Sequence, residues 1–391
     1  MKILCYCVLI LCFASSSFAQ RWQQASSFPG STRDGAIAFS IGSKVYFGGG
    51  LDKDFFEYDP ATDVWTKKGN IPGVSTNRAF GIGFSIGDKG YVGLGQDSGT
   101  LKKDLWEYDP SADTWTKKAN FIAGIDAPIC FTIGGKAYIG GGTDGKYIYS
   151  EFYSYDPTTN AWKSEGELPM GSIVFGSAFS IGSKGYVTGG DIGGAELGDL
   201  YEYDATTNEW KMLAAFPGTA RQTMVSFSIN GKGYVGMGQS RYTDVYSDFY
   251  SYDPTTDTWT NVSGDFPISP GRAWGTAVAY GDKAFIGAGW DLSTNFYNDW
   301  WKYDPLTTAS VQTPVTSTAI SIYPNPVADR FTISGAYTTG TVTVIDVLGR
   351  EVFTSAITAS RSYDISNITQ GQYMIRIESD GHTDTYKIVK N

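Results

Sequence analysis

Short segments in which apolar side chains alternate with small or polar ones recur along most of the chain. The first runs from Ala36 to Ile41 and leads into the dipeptide Gly42-Ser43. Alternation with a period of two predicts a strand with one buried face, and glycine supplies the positive φ of a two-residue hairpin turn. Equivalent turns, each followed by a lysine, stand at Gly87-Asp88, Gly134-Gly135, Gly182-Ser183, Asn230-Gly231 and Gly281-Asp282. The pattern therefore predicts an all-β chain built from hairpins.

A second pattern lies later in each repeat, where a strand ends in Tyr-Asp and a tryptophan follows seven residues after the tyrosine. The complete copies are Tyr58 with Trp65, Tyr108 with Trp115, Tyr155 with Trp162, Tyr203 with Trp210, and Tyr252 with Trp259. A sixth copy at Tyr303 has Ser310 in place of the tryptophan, and successive tyrosines are 47 to 51 residues apart. A glycine cluster such as Gly48 to Gly50 ends the second strand of each copy. Four short strands repeated at this spacing are typical of the blades of a β-propeller.

The two ends of the repeat array complement each other. Trp22 is followed by Pro29 at the spacing that separates Trp65 from Pro72, so the chain starts with the end of a blade. The last copy, at Tyr303, is a blade that lacks its end. We therefore predict a six-bladed propeller over residues 20–310 in which an N-terminal strand completes the sixth blade. Such closure removes the two exposed sheet edges of an open array.

The order of glycine cluster, tyrosine and tryptophan within each repeat resembles the kelch repeat. Three copies have Gly-x-Gly in place of Gly-Gly, at Gly93, Gly236 and Gly287. The resemblance covers residues 20–310 and implies a six-bladed kelch propeller.

The C-terminal part of the chain has a different pattern. Residues 311–319 have the composition of a linker, and residues 320–391 contain short apolar strands that predict a small, immunoglobulin-like β-sandwich. The second segment resembles the C-terminal sorting domain of the type IX (Por) secretion system of Bacteroidetes. The matching motifs are Tyr323-Pro324-Asn325-Pro326, the turn from Asp346 to Arg350, Gly371-Gln372-Tyr373, and the ending from Lys387 to Lys390.

The resemblance to a sorting domain implies a partner and a location. It implies recognition by the type IX secretion machinery and export across the outer membrane. The protein would then be secreted or held at the cell surface in association with the outer membrane, with the sorting domain removed or exchanged for a surface attachment.

The first 19 residues resemble a secretory signal peptide. Lys2 is followed by an apolar run from Ile3 to Phe13 and by the small-x-small site Ser17-Phe18-Ala19. The run is too short to span a bilayer, so we predict no transmembrane segment in the mature chain. Three of the four cysteines would leave with this leader. Only Cys130 would remain, and no intramolecular disulfide could form.

Charge and histidine content exclude several classes of function. The net charge is −10, which argues against a nucleic-acid partner because such binding neutralises phosphates with Lys and Arg. The only histidine is His382, which lies outside the predicted propeller. A histidine-based metal site or catalytic triad therefore cannot form in the propeller, and we expect no metal, no cofactor and no catalytic residue there.

Comparison of the six copies with one another yields candidate site residues. The position nine residues before each hairpin turn holds Arg33, Arg78, Ile125, Ile173, Arg221 and Arg272. The four arginines form a contiguous arc around a closed ring, at one mouth of the central channel. One interpretation is a binding surface for a ligand with an anionic side and an apolar side, because Arg clamps carboxylates.

The alternative interpretation is structural, because an acid precedes each motif tyrosine by four residues. These acids are Asp54, Asp104, Glu151, Asp199, Asp248 and Asp299. A hydrogen bond repeated within each blade explains such a ring better than a metal site does, and the arginines could cap these acids.

The loops after the glycine clusters supply further candidates. Trp290 follows its glycine cluster directly, and Glu196 and Arg241 lie in the equivalent loops of two other blades. An aromatic platform beside acids and arginines is typical of sugar recognition, and loops on a rigid scaffold commonly carry function.

Two functions are compatible with the sequence. We favour a binding or interaction propeller that recognises a glycan or a surface protein through the channel-mouth loops. The alternative is a metal-independent carbohydrate-active enzyme resembling a sialic acid mutarotase or epimerase. In that case an arginine would hold the carboxylate of the sugar and Glu196 would move a proton.

Overall fold

A computed structural model describes residues 21–241, 244–263, 266–268, 271–305, 321–323, 326–334, 340–346, 350–358, 361–379 and 382–391. The predicted signal peptide, the predicted linker, Ser310, Tyr242 and part of the Tyr-Pro-Asn-Pro motif lie outside these residues. The chain divides into two compact units, Met1–Ala309 and Ser310–Asn391.

The first unit contains six four-stranded antiparallel sheets, which are the blades. Blade 1 comprises β2 (Ala36–Ile41), β3 (Lys44–Gly49), β4 (Phe55–Asp59) and β5 (Val64–Lys67). Blade 2 comprises β6 (Ile82–Ile86), β7 (Lys89–Gly93), β10 (Leu105–Asp109) and β11 (Thr114–Lys117), with β8 (Gln96–Asp97) and β9 (Thr100–Leu101) in its loop. Blade 3 comprises β12 (Ile129–Ile133), β13 (Lys136–Gly140), β14 (Glu151–Asp156) and β15 (Ala161–Glu167).

The remaining three blades have the same order of strands. Blade 4 comprises β16 (Ser177–Ile181), β17 (Lys184–Thr188), β18 (Leu200–Asp204) and β19 (Glu209–Leu213). Blade 5 comprises β20 (Val225–Ile229), β21 (Lys232–Gly236), β22 (Phe249–Asp253) and β23 (Thr258–Asn261). Blade 6 comprises β24 (Thr276–Tyr280), β25 (Lys283–Gly287), β26 (Trp300–Tyr303) and β1 (Trp22–Ala25). The first strands of neighbouring blades contact one another around the ring, including those of blades 6 and 1.

The predicted closure of the ring by the N-terminal strand is confirmed. β1 pairs antiparallel with β26, with Trp22 opposite Tyr303. The Trp22 side chain is 2% exposed and makes edge contacts with Phe249 and Phe266 of blade 5. The first strand of the propeller therefore buries its one large apolar side chain in the junction between the last two blades.

The tyrosine and tryptophan of each repeat help to hold neighbouring blades together. They act with the residue five positions after the tyrosine, which is Asp63 in blade 1. In blade 1 the Tyr58 hydroxyl donates to Asp63 Oδ1 at 2.7 Å, and the Ser26 backbone N–H donates to the same oxygen at 2.8 Å. The Trp65 Nε1–H donates to the Ser26 carbonyl at 2.8 Å. The residue five positions after the tyrosine has positive φ in five blades, at Asp63, Asp113, Asn160, Asn208 and Asp257. Asn and Asp tolerate that conformation, which explains the residue types at this position.

The lysine after each hairpin turn also has a structural role. In every blade it forms an ion pair with the aspartate of the Tyr-Asp motif. The pairs are Lys44–Asp59, Lys89–Asp109, Lys136–Asp156, Lys184–Asp204, Lys232–Asp253 and Lys283–Asp304. Partly exposed pairs contribute little individually, about 0–1 kcal/mol. Their repetition explains why both residue types recur in every copy.

The second unit is a small β-structure of two sheets that share one core. Its strands are β27 (Ser321–Tyr323), β28 (Arg330–Ser334), β29 (Thr341–Asp346), β30 (Glu351–Ala356), β31 (Ser362–Asp364), β32 (Gly371–Ser379) and β33 (His382–Lys390). One sheet has the order β27-β28-β31 and the other β30-β29-β32-β33. Phe331, Val342, Val344 and Ile375 are buried in the core between them. In the part of the chain that the structure describes, no helix is long and apolar enough to cross a membrane.

Candidate functional site

The candidate site is the channel mouth, which we define as the six segments that lead into the first strands together with the loops after the second strands. Because strands alternate in direction, all these segments lie at the same end of the blades. Each junction is closed by a backbone hydrogen bond from a glycine after the second strand to the next blade. These bonds are Gly50 to Arg78, Gly95 to Ile125, Gly142 to Ile173, Gly190 to Arg221, Gly238 to Arg272 and Gly289 to Arg33, all between 2.7 and 2.9 Å.

The four arginines of the mouth point into their own blades and are paired with acids. Arg78 donates to both carboxylate oxygens of Asp104, at 3.0 and 2.8 Å. The same two-pronged pair joins Arg33 to Asp54, Arg221 to Asp248 and Arg272 to Asp299. Three of these arginines are fully buried and Arg272 is 6% exposed. Their charges are therefore neutralised inside the fold.

Each arginine also contacts backbone and, in three blades, an aromatic ring. Arg221 donates to the Met237 carbonyl at 3.2 Å, and its guanidinium lies 3.8 Å from the centre of the Tyr246 ring. The guanidinium of Arg272 lies 3.6 Å from the centre of the Tyr297 ring. Arg33 packs on Phe28 at 4.5 Å. The arginine thereby fixes the end of the second strand and the start of the third.

These contacts correct the expectation of an open arginine arc. The four arginines do follow one another around the ring, but each guanidinium group is paired with an aspartate of its own blade. The structural interpretation is the one that anticipates this pairing. The arginines are Arg33, Arg78, Arg221 and Arg272. Blades 3 and 4 have Ile125 and Ile173 at this position, both buried. Their acids, Glu151 and Asp199, consequently have no such arginine.

A ring of residues in the left-handed backbone conformation lies next to the arginines along the chain. Its six members, one from each blade, have φ between 49° and 59°: Gly35, Phe80, Ala127, Phe175, Thr223 and Trp274. Neighbours are joined by backbone hydrogen bonds, such as Phe80 N–H to Gly35 O at 3.1 Å and Ala127 N–H to Phe80 O at 2.8 Å. Such a conformation is costly for side chains other than Gly, Asn and Asp, and strain of this kind tends to concentrate at functional sites.

Large and small side chains alternate around this ring. Blades 2, 4 and 6 contribute Phe80, Phe175 and Trp274, whereas the other three blades contribute Gly35, Ala127 and Thr223. The rings of Phe80 and Phe175 each lie 4.6 Å from the ring of Trp274, measured between centroids. A Cβ atom at position 35 would lie 2.6 Å from Cε1 of Phe80, so glycine makes room for that ring. The three rings, which we call the aromatic triad, are all partly exposed.

Several side-chain oxygens without hydrogen-bond partners belong to residues beside the small members of this ring along the chain or to the mouth loops. Among the described residues, the buried oxygens of the mouth that lack a protein donor are Asp34 Oδ1, Asp126 Oδ1, Glu196 Oε1, Gln222 Oε1, Thr223 Oγ1 and Gln239 Oε1. Asp34 is 8% exposed, and burial raises the pKa of its carboxyl as well as that of Asp126. A buried acceptor without a donor costs about 1–3 kcal/mol, so these atoms favour a donor from water or from a ligand.

The three predicted loop residues occupy two separate parts of the mouth. Trp290 stacks on Phe296 in blade 6, with centroids 6.1 Å apart, and its Nε1–H donates to the Ser293 carbonyl at 3.1 Å. Arg241 of blade 5 reaches Asp191 of blade 4, with 3.4 Å between Nε and Oδ2. Glu196 lies in the same blade 4 loop as Asp191, where desolvation raises its pKa. The structure thus brings Glu196 and Arg241 together and leaves Trp290 apart from them.

Metal and thiol chemistry find little support among the described residues. No group of three or more His, Cys, Asp and Glu side chains there could hold a metal ion. Burial raises the pKa of the Cys130 thiol to about 12. The thiol is therefore protonated at neutral pH and a poor nucleophile.

Sequence reasoning missed the aromatic triad, although a signal for it exists. The triad occupies, in every second copy of the repeat, the position two residues after the one that holds Arg78, Ile173 or Arg272. Aligning the copies at that position, rather than at the arginine alone, would have revealed the alternation of large and small side chains.

Two family models match this chain. The model of the KLHDC2/KLHL20/DRC7 Kelch-repeats domain matches residues 126–289 and 177–328, which together span just over half of the chain. The model of the secretion system C-terminal sorting domain matches residues 321–391. No curated protein sequence matches the chain.

A solved structure supports the same fold. The structure titled "Structure of YjhT" superposes with a TM-score of 0.61 and 19% sequence identity. The superposition covers 71% of this chain and 96% of the other. At this identity the likeness concerns the fold alone.

Proposed function

Because this chain is a kelch-repeat protein that ends in a type IX secretion sorting domain, we propose that it is an exported propeller that binds a glycan at its channel mouth. The sorting domain indicates a secreted or cell-surface protein and a partner in the secretion machinery. Outer-membrane association and the fate of the sorting domain after export belong to the proposal.

The aromatic triad is the observation that carries this proposal. Sugars present an apolar face of C–H groups that packs on aromatic rings, and the rings of Phe80 and Phe175 each contact that of Trp274. Buried oxygens of Asp34, Asp126 and Gln222, each one residue before a small member of the left-handed ring, have no donor among the described residues, and sugar hydroxyls supply donors. Rings and acceptors together make the site complementary to a hydroxyl-rich ligand.

The charges of the mouth favour a neutral glycan over an acidic one. The four ring arginines are neutralised by aspartates, and Arg241 is paired with Asp191. Asp34 and Asp126 add acidic groups that would repel a carboxylate. The Trp290–Phe296 pair provides a second aromatic surface for an extended glycan or for the rim of a protein partner.

Replacing Trp274 with alanine is expected to weaken glycan binding by about tenfold or more, because the substitution removes the ring that contacts both other rings. The experiment is a screen of the mature chain on an array of neutral and acidic glycans, followed by titration of the best ligand. Met212→Ala is the matched control, since Met212 is an exposed apolar side chain on an outer strand.

Two outcomes would contradict the proposal. One is equal binding by the Trp274→Ala and Met212→Ala variants, provided that thermal unfolding shows both to be folded. The other is the absence of binding to any glycan, which would direct the search to protein partners.

A second candidate function is the metal-independent sugar isomerase, and Glu196 is the observation that favours it. Desolvation raises the pKa of its carboxyl, and a carboxyl group can exchange protons with a sugar. Arg241 lies close enough to affect its charge. We expect that if the chain accelerates the interconversion of sialic acid anomers, Glu196→Gln would reduce the rate by about 100-fold or more. Anomer exchange measured by NMR tests this, and no acceleration by the wild-type chain would reject it.

A further inference from the structure

A concave site lies at the end of the propeller away from the channel mouth, at the junction between blades 6 and 1. It is a surface cavity of about 400 Å³, within the range of small-molecule sites. Blade 6 lines it with the segment from Tyr280 to Lys283, which includes the acid Asp282, and with Phe285 and Lys302. The turns at Gly42-Ser43 and Pro60-Ala61 line it from blade 1. These turns lie at the strand ends away from the channel mouth, so this cavity is independent of the proposed glycan site.

Three of the lining residues break the pattern of the repeat at once. Position 280 is tyrosine where the other blades have Ile41, Ile86, Ile133, Ile181 and Ile229. Position 285 is phenylalanine where they have Tyr46, Tyr91, Tyr138, Tyr186 and Tyr234. Position 302 is lysine where they have Glu57, Glu107, Ser154, Glu202 and Ser251. Positions that depart together from an otherwise regular repeat are candidates for function.

The usual residues at two of these positions form a hydrogen bond with each other. Tyr46 donates to Glu57 at 2.8 Å, and the same bond joins Tyr91 to Glu107 and Tyr186 to Glu202. Blade 6 has neither the hydroxyl nor the carboxylate. Its Phe285 makes an edge contact with Tyr58 of blade 1 instead, at 5.2 Å between centroids. The Phe285–Lys302 pair therefore replaces a Tyr–Glu hydrogen bond of blades 1, 2 and 4 at this junction.

Lys302 adds a second ammonium to a cavity whose lining also holds Lys283 and the acid Asp282. Lys283 is paired with Asp282 and Asp304. Within the described residues, by contrast, no carboxylate lies within 4.0 Å of the Lys302 ammonium. The carboxylate of Asp63 interacts electrostatically with Lys302, but it already accepts hydrogen bonds from Ser26 and Tyr58. A half-buried ammonium without an ion-pair partner favours an anion.

We propose that this cavity binds a small monoanion with a flat apolar body, such as an aromatic carboxylate. The ammonium of Lys302 would bind the carboxylate, and the apolar body would pack against the partly exposed Tyr280 and Pro60. Chemistry of this kind differs from that of the channel mouth, where acceptor oxygens prevail.

The test uses benzoate as the probe and benzyl alcohol as its neutral analogue, with the mature full-length chain. Ligand-observed NMR should show saturable benzoate binding with a dissociation constant on the order of a millimolar, as is usual for a ligand of this size. The double variant Phe285→Tyr/Lys302→Glu restores the residues of blades 1, 2 and 4. It should lose benzoate binding and unfold at the same or a higher temperature. Lys211→Glu, which makes the same charge change at an exposed lysine of blade 4, should bind benzoate like the wild type.

Three results would overturn the proposal. The first is no benzoate binding by the wild type at about ten times that concentration. The second is equal binding of benzoate and benzyl alcohol, because the ammonium would then contribute nothing. The third is an equal loss of benzoate binding in the Lys211→Glu variant, because the effect of the double variant would then reflect net charge alone. Glycan binding at the channel mouth should be unchanged in the double variant, so the two sites are tested separately.

Discussion

Replacing Asp54 with alanine is expected to lower the free energy of unfolding of the propeller by about 3–5 kcal/mol, the cost of breaking a buried ion pair from one side. The substitution would leave the guanidinium of Arg33, which is fully buried, with only the Gly49 and Ser31 acceptors. Urea unfolding followed by tryptophan fluorescence measures this change. All 11 tryptophans lie between positions 22 and 301, so the signal reports the propeller alone.

The repeat offers a matched control for this prediction. Asp199 stands at the equivalent position in blade 4, where Ile173 replaces the arginine and no charge would be left unpaired. We expect Asp199→Ala to cost less than about 1 kcal/mol, because the substitution leaves no buried charge without its partner. Equal losses in the two variants would contradict the structural role that we assign to the arginines.

Replacing Trp22 with alanine should destabilise the propeller by about 3–5 kcal/mol, the range for large buried aromatic side chains. Trp22 fills the junction between blades 5 and 6 against Phe249, Phe266 and Tyr303. Its Nε1 has no hydrogen-bond partner, so Trp22→Phe should retain much of the stability. The same fluorescence-detected unfolding measures both variants.

Gln24→Ala is the control for strand β1, because Gln24 is an exposed residue of the same strand. It should be close to neutral. If Trp22→Ala were as stable as Gln24→Ala, closure of the ring by the N-terminal strand would not contribute to the stability of the fold.

The blades could be predicted from the sequence because their signals are local and repeated. The turn at Gly42-Ser43 and the pair of Tyr58 with Trp65 each lie within a few residues, and the repetition of both patterns identifies the blade. Closure by β1 followed from the same regularity, since Trp22 fits the end of a blade and Tyr303 the start of one. The motifs of the sorting domain are likewise short segments that are continuous in the sequence.

The candidate site was harder to predict because its geometry depends on contacts between distant residues. Arg33 and Asp54 are 21 residues apart, and the sequence left open whether they meet or whether the arginine faces a ligand. The contact of Phe80 with Trp274 joins residues of blades 2 and 6 across the mouth. The alternation of large and small residues marks these positions in the sequence, but it does not show that the rings of separate blades meet.

A crystal structure of the mature chain with the best ligand from the glycan array would test the proposed glycan site directly. We expect a sugar ring packed on Phe80, Phe175 and Trp274, with hydroxyls that donate to oxygens of Asp34, Asp126 and Gln222. A glycan bound elsewhere on the propeller, with the aromatic triad unoccupied, would contradict the proposal.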